Sequence, residues 1–161
     1  MLMTTRLIFL TLALLGCNTS QPDSPLETES PPLEGTWKLI SGTLIERGDT
    51  TVTDYTGNES MIKIINDSHF AFLRHDLNEG QDSTAIFVAG GGAYTLEGDQ
   101  YTEHLEYCSA REWEGNTFQF TVTLDGDTLT QEGVEKVEEL GVERLNVEKY
   151  VRIESGRGVG E

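Results

Sequence analysis

Apolar and polar residues alternate one by one along much of this chain, and this period of two constrains the fold more than any other feature. Phe118, Phe120, Val122 and Leu124 alternate with Gln119, Thr121 and Thr123, for example. The side chains of a β-strand point alternately to its two faces, whereas a helix repeats its apolar face every three to four residues. The alternation therefore predicts half-buried strands.

Short turn sequences join these predicted strands into hairpins. Asn66-Asp67-Ser68 separates strands at 61–65 and 69–76, Gly98-Asp99 separates 93–97 from 100–107, and Asp125-Gly126-Asp127 separates 118–124 from 128–132. Asn, Asp and Gly are the residues that favour tight turns between antiparallel strands. With further strands at 37–46 and 147–154, the pattern indicates an all-β antiparallel barrel or sandwich.

We favour a closed barrel of about eight strands, because the predicted inward faces are interrupted by polar groups. A sandwich has a dry core, whereas a barrel of about eight strands is able to hold one small ligand. One segment departs from the strand pattern: Val134, Val137 and Leu140 share one helical face, and Gly141 interrupts it. We therefore predict one short helix near 134–144, with continuation of a strand as the alternative.

The N-terminal residues have the layout of a secretory signal peptide. Arg6 precedes an apolar run over 7–15, and Gly16 stands directly before Cys17. The run is about half as long as the roughly 20 apolar residues of a transmembrane helix. A signal peptide cleaved elsewhere, with Cys17 incidental, is the alternative to a lipid anchor.

The Leu-Leu-Gly-Cys run resembles the lipobox of bacterial lipoproteins, in which the cysteine is acylated and becomes the mature N-terminus. This resemblance implies a signal peptide at 1–16, acyl chains such as palmitate at Cys17, and attachment to a membrane of the cell envelope. Asn18 directly after the cysteine resembles an outer-membrane sorting signal. The face of that membrane stays open.

Composition divides the rest of the chain into linker, domain and tail. Residues 18–33 hold all four prolines together with Ser, Thr, Asp and Glu, which is typical of an extended linker. The last residues are rich in glycine. We therefore predict a lipidated cysteine and flexible linker at 17–33, a barrel domain at 34–154 and a disordered tail at 155–161.

The charge of the chain excludes several kinds of partner. The formal net charge is −17, and loss of Arg6 with the signal peptide makes the mature chain more acidic still. Such a surface argues against binding to nucleic acid and against attraction to anionic lipid headgroups. The second cysteine, Cys108, has no intramolecular partner once Cys17 is acylated, so no disulfide is predicted.

No motif in the chain predicts a metal site, a cofactor or catalytic residues. His69, His75 and His104 are the only histidines, and they lack the spacing of metal ligands. The glycine run at 90–92 has no following Lys-Ser/Thr and therefore does not match a phosphate-binding loop. A bend in the strand is the favoured role of that run.

The first strand of the predicted domain contains Gly35-Thr36-Trp37, which resembles the Gly-x-Trp signature of lipocalins and the wider calycin group. In that group the tryptophan closes the bottom of the barrel, and a basic residue from the last strand packs over its ring. The resemblance implies these barrel-closing roles for Trp37 and Arg152. The second and third lipocalin motifs have no clear counterpart here, which argues against transport of hydrophobic ligands.

A closer resemblance covers nearly the whole domain. The segments GTWKLISGTL, MIKIINDSHFAFLRHD, AGGGAYTLEGDQYTEHLEY and FTVTLDGDTLTQEG are similar to small lipocalin-like lipoproteins that are common in Bacteroidetes. Most of those proteins have no assigned activity. The resemblance therefore implies fold and location, and function only in outline.

The predicted strands place charged residues on the aromatic faces. Arg74 shares a face with Phe70 and Phe72, and Glu103 shares a face with Tyr101, Leu105 and Tyr107. Buried charges are costly unless they are paired, so Arg74 and Glu103 should pair with each other or with a polar ligand. We predict a pocket in which they fix a polar group and the walls are aromatic: Phe70, Phe72, Tyr94, Tyr101, Tyr107 and Phe120. A structural Arg–Glu bridge is the alternative.

Together these features predict a non-enzymatic, lipid-anchored barrel that binds a small amphipathic or aromatic molecule and no cofactor. An enzyme that acts on such a molecule in the same cavity is one alternative. A structural module of the cell envelope with a packed interior is another. The size of the interior cavity distinguishes a binding protein from a packed module, and the oligomeric state stays open.

Overall fold

The computed structural model describes residues 32–154. The predicted signal peptide, Cys17, the linker up to residue 31 and the tail at 155–161 lie outside the described residues. No helix between residues 32 and 154 is long and apolar enough to cross a membrane.

The alternating segments form ten antiparallel strands. In chain order they are β1 (Gly35–Glu46), β2 (Asp49–Asp54), β3 (Glu59–Ile65), β4 (His69–Asp76), β5 (Phe87–Glu97), β6 (Gln100–His104), β7 (Tyr107–Cys108), β8 (Thr117–Asp125), β9 (Thr128–Val137) and β10 (Val142–Arg152). The three predicted hairpins form, with the pairs Ile65–Phe70, Glu97–Gln100 and Asp125–Thr128 next to their turns.

The strands close into an eight-stranded barrel, which confirms the predicted all-β antiparallel fold. The ring runs in the order β1-β3-β4-β5-β6-β8-β9-β10, and β10 pairs with β1 to complete it. Two positions in the ring are each filled by a pair of shorter strands. The first half of β1 pairs with β3 and its second half with β2, while β6 and β7 both pair with β5.

The helix predicted near 134–144 does not form, so that prediction is wrong. Strand β9 continues to Val137 and β10 begins at Val142, with a single 3-10 turn at Glu138–Leu140 between them. The strands pair from Val137–Val142 onward, and Gly141 adopts a φ of 65° in the turn. Pairing with the neighbouring strand therefore prevails over a helical pattern that spans only two turns.

One end of the barrel is closed by packed side chains. Trp37 is fully buried, and its indole Nε1 donates a hydrogen bond of 2.9 Å to the carbonyl oxygen of Leu33. The guanidinium carbon of Arg152 lies 4.0 Å from the centroid of the Trp37 ring. Further buried residues of the apolar core pack beneath them: Leu39, Ile65, Phe70, Tyr101, Phe120, Leu129 and Tyr150.

Strand β5 owes its close packing to the glycine run. A Cβ atom on Gly92 would lie 1.9 Å from the carbonyl oxygen of His104, and one on Gly90 would lie 2.4 Å from the ring of Phe72. Both distances are too short for any side chain. The glycines therefore allow the backbone after β6 to approach β5 closely, next to the break between β6 and β7.

Candidate functional site

The other half of the barrel, which we call the open half, contains a cavity of about 300 Å³. Apolar side chains of Leu44, Met61, Phe72 and Val88 line part of its wall. Apart from Gly42, the remainder of the wall is charged or polar: Thr53, Tyr55, Lys63, Arg74, Glu135, Arg144, Asn146, Glu148 and Tyr150. The lining residues come from strands β1 to β5, from the loop after β2 and from strands β9 and β10, whose inward faces meet here.

A second cavity of about 220 Å³ lies beside the first. Both cavities are lined by Phe72, Val88, Glu135 and Arg144, so these side chains separate them. The second cavity extends toward the loop between β7 and β8, where Cys108 and Trp113 line it.

The floor of the first cavity is a buried ammonium group. Lys63 is 2% exposed, and its Nζ forms an ion pair with Glu103 and donates a hydrogen bond of 2.6 Å to Oε1 of Gln131. Nζ also lies 5.1–5.8 Å from the ring centroids of Phe70, Tyr101 and Tyr150. The aromatic rings and the carboxylate together compensate a charge that would otherwise be costly to bury.

The side walls carry two further ion pairs. Nη2 of Arg144 lies 2.7 Å from Oε2 of Glu135, and the amide of Asn146 donates to the other carboxylate oxygen over 2.9 Å. Arg74 forms an ion pair with Glu59. Both guanidinium groups also stack on aromatic rings, Arg74 on Tyr55 at 5.1 Å and Arg144 on Trp113 at 5.2 Å. The arginine side chains are thereby held in fixed positions.

Glu148 differs from the other carboxylates of the cavity. Its Oε2 accepts a hydrogen bond of 2.7 Å from the hydroxyl of Tyr150, and no cation between residues 32 and 154 lies within the 4.0 Å of an ion pair. Burial raises the pKa of the Glu148 carboxyl above its ordinary value, although the charge of Lys63 opposes this effect. A half-buried carboxyl in a cavity with such a raised pKa is typical of functional sites.

The eight predicted ligand-binding residues do not form one site but are divided between the cavity, the packed core and the surface. Phe72 and Arg74 line the cavity, whereas Glu103 lies beneath it as the partner of Lys63. Phe70, Tyr101 and Phe120 belong to the packed core. The hydroxyl of Tyr94 donates to the carbonyl oxygen of Asn66, and its ring lies 5.1 Å from that of Tyr101. Arg74 and Glu103 are inward-facing, but each pairs with another residue.

Tyr107 does not face the interior, which corrects its predicted place in the pocket wall. Its side chain is 68% exposed. The regular strand ends after His104, and the backbone N–H groups of Leu105 and Glu106 donate to Asn116 and Gly91 instead. This irregularity shifts the alternation of faces by one residue, so Cys108 rather than Tyr107 faces the second cavity.

Four charged residues of the cavity were not predicted from the sequence: Lys63, Glu135, Arg144 and Glu148. The first faces inward because Glu59, Met61, Lys63 and Ile65 share one face of β3. Glu135 and Arg144 lie within 134–144, where the helical interpretation hid the alternation, whereas Glu148 lies on the strand predicted at 147–154. Strict alternation backward from Tyr150 was the signal that identifies the even-numbered residues of β10 as inward-facing.

The arrangement suits noncovalent binding of a polar or charged group. No three His, Cys, Asp or Glu side chains in the described part of the chain are placed to hold a metal ion. The hydroxyl of Tyr101 is buried and accepts or donates no hydrogen bond within residues 32–154. Burial and the nearby Glu103 raise the pKa of Tyr101, so this hydroxyl stays protonated.

Comparisons with known proteins give the fold no family name. No protein-family profile matches the chain, and no curated protein is significantly similar to it. A structure search finds similarity to the crystal structure of an uncharacterized protein from Bacteroides eggerthii, with 13% sequence identity and a TM-score of 0.44. The match covers 74% of this chain and 98% of that one, and similarity at this level assigns neither family nor function.

Proposed function

We propose that this protein is a membrane-tethered binding protein that holds a small amphipathic molecule in the open half of its barrel. The observation that carries the proposal is the cavity of about 300 Å³ inside a barrel whose other end is fully packed. Cavities that hold small molecules begin at about this size. The alternative, a structural module with a packed interior, would not contain a cavity of this size.

The wall of the cavity supports an amphipathic ligand rather than a purely apolar one. Phe72, Leu44 and Val88 offer contacts to an apolar body, while Glu148 and the ion-paired side chains offer contacts to a polar group. Polar side chains that are already held in position bind a ligand without further loss of conformational freedom. The ligand therefore has one apolar and one polar end.

The tether is the second part of the proposal, and it rests on the sequence around Cys17. The guanidinium of Arg152 donates hydrogen bonds of 2.8 and 2.6 Å to the carbonyl oxygens of Glu34 and Pro32. These bonds fix the start of the described chain at the closed end. A linker from Cys17 would thus join the domain at its closed end.

Native mass spectrometry tests the binding function directly. The full-length protein, extracted with mild detergent from the cells that make it, should carry a small molecule. Leu44→Trp places an indole ring in the cavity and should lower the bound fraction severalfold. Ile45→Trp is the matched control, because Ile45 is the neighbouring residue on β1, is 37% exposed and points outward. A wild-type protein without any bound molecule contradicts the proposal.

Metabolic labelling with palmitate tests the tether. Wild-type protein should take up the label and sediment with membranes, and Cys17→Ser should abolish both properties. Cys108→Ser removes the other cysteine and should leave both unchanged. Unaltered labelling of the Cys17→Ser variant would exclude the proposed anchor.

A further inference from the structure

We infer that Glu148 recognises the ligand and that the ligand presents a cationic group, such as a protonated amine, to its carboxylate. The inference rests on the proposed function, because it names the chemistry of the molecule that the cavity holds. It follows from the pairing of charges in the open half.

Each cation of the cavity already has its own carboxylate. Lys63 pairs with Glu103, Arg74 with Glu59 and Arg144 with Glu135, and these six side chains balance to zero charge. An anionic ligand would bring a second negative charge to a cation that its own carboxylate already neutralises, or would displace that carboxylate. Breaking such an ion pair leaves a partly buried charge without compensation, which is unfavourable.

Glu148 is the carboxylate that remains. It lines the cavity, and the one hydrogen bond it accepts from a side chain, from Tyr150, occupies Oε2. The ionised cavity therefore has one negative charge in excess. Burial of this charge is compensated either by a proton or by a cation that enters from outside. The pKa of Glu148, which burial raises, reflects the same lack of a partner.

The surroundings of Glu148 also define the rest of the ligand. Gly42 pairs with Glu148 across β1 and β10, and the ring of Tyr55 packs over Gly42, where a Cβ atom would lie 3.1 Å from it. Phe72 and Leu44 line the same cavity, so an amine bound at Glu148 would extend its apolar part along them. The class of ligand is thus an amphipathic amine with a compact apolar or aromatic body.

Three probes of nearly equal shape distinguish this inference from its competitors. Phenethylamine, phenethyl alcohol and phenylpropionate carry a cationic, a neutral and an anionic group on the same ring. We would titrate each into the full-length protein in mild detergent by isothermal calorimetry. We expect phenethylamine to bind roughly tenfold more tightly than the alcohol, since one additional ion pair of about 1.4 kcal/mol has that effect. Phenylpropionate should bind most weakly.

Variants locate the preference at one side chain. Glu148→Gln keeps the size of the side chain and should reduce the affinity for phenethylamine to that for the alcohol. Glu132→Gln, which removes an equal charge from the outer face of β9, should leave the preference unchanged. This control shows whether the net acidity of the surface attracts the amine.

The outcomes separate the two proposals. Equal binding of the alcohol and the amine, or a preference that survives Glu148→Gln, overturns the role of Glu148 while the binding function stands. Tighter binding of phenylpropionate overturns it as well. If none of the probes binds, the inference fails, and the mass-spectrometric result then decides alone whether the binding function fails with it.

Discussion

The two halves of this barrel are built from the same strands, but one half is an apolar core and the other is a cavity with charged walls. At the closed end, Trp37, Tyr101 and Leu129 are completely buried in an apolar core. In the open half, the same strands direct charged residues inward around a cavity of about 300 Å³. Strand β3 shows the change within four residues, since Ile65 belongs to the core and Met61 lines the cavity.

The difference indicates where stability and binding reside. Burial of apolar area is the main favourable contribution to folding, and it is concentrated at the closed end. The charges of the open half contribute less, because desolvation offsets most of the attraction within an ion pair. The strands can thus hold a costly arrangement of charges in the open half, since the closed end stabilises the ring.

The largest effect is expected from Trp37→Ala. The substitution removes the largest side chain of the closed end, its hydrogen bond to Leu33 and its contact with Arg152. We expect the free energy of unfolding to fall by about 5 kcal/mol, as for other buried aromatic residues. Urea denaturation followed by circular dichroism measures the change.

Tyr107→Ala is the control, because it removes an aromatic ring from the outer wall of the barrel. The ring is 68% exposed, so the free energy of unfolding should change by less than about 0.5 kcal/mol. Equal losses for the two variants would show that the closed end is not the source of stability.

A smaller loss is expected from Lys63→Met at the boundary between the halves. The substitution leaves Glu103 buried without its partner, which should cost about 3 kcal/mol. Adding Glu103→Leu should recover most of this loss, because the pair is then replaced by apolar side chains of similar size. A double variant that is no more stable than Lys63→Met would mean that the ion pair itself stabilises the fold.

Strand alternation predicted the fold because burial in a barrel follows the same period of two. It placed Phe70, Phe72 and Arg74 on one inward face, as the burial of β4 confirms. It failed where the backbone leaves the regular ladder. The break after His104 turned Tyr107 outward, and the bulge between Leu39 and Ser41 changes the inward set of β1. Such irregularities depend on neighbouring strands, so a single segment does not reveal them.

The pairing of charges was not predictable from the sequence at all. Lys63 and Glu103 are 40 residues apart, and Arg74 and Glu59 are brought together by the register of β3 and β4. The sequence indicated that Arg74 and Glu103 face inward, but their partners depend on how far each strand is shifted relative to the next. Glu148 was overlooked for the related reason that its lack of a cationic partner is visible only in three dimensions.

The smallest effect should come from Glu148→Gln, and it has the opposite sign. A carboxyl whose pKa is raised by folding binds its proton more tightly in the folded state. It favours the folded state below the ordinary value of 4.5, and this advantage is lost as the pH rises through the folded pKa. Above that value an ionised carboxylate stays buried without a cation. Glutamine avoids this cost, so the variant should be more stable by about 1 kcal/mol at mildly alkaline pH.

The pH dependence makes this prediction specific. The gain from Glu148→Gln should shrink as the pH falls and vanish at about pH 3, where glutamate is protonated in both states. Thermal unfolding of wild type and variant across this range measures it. Glu132→Gln, on the exposed face of β9, should show no such trend. A gain in stability that does not depend on pH, or a loss of stability at alkaline pH, would contradict this prediction. It would mean that a cation already compensates Glu148, so that the open half holds no unpaired charge.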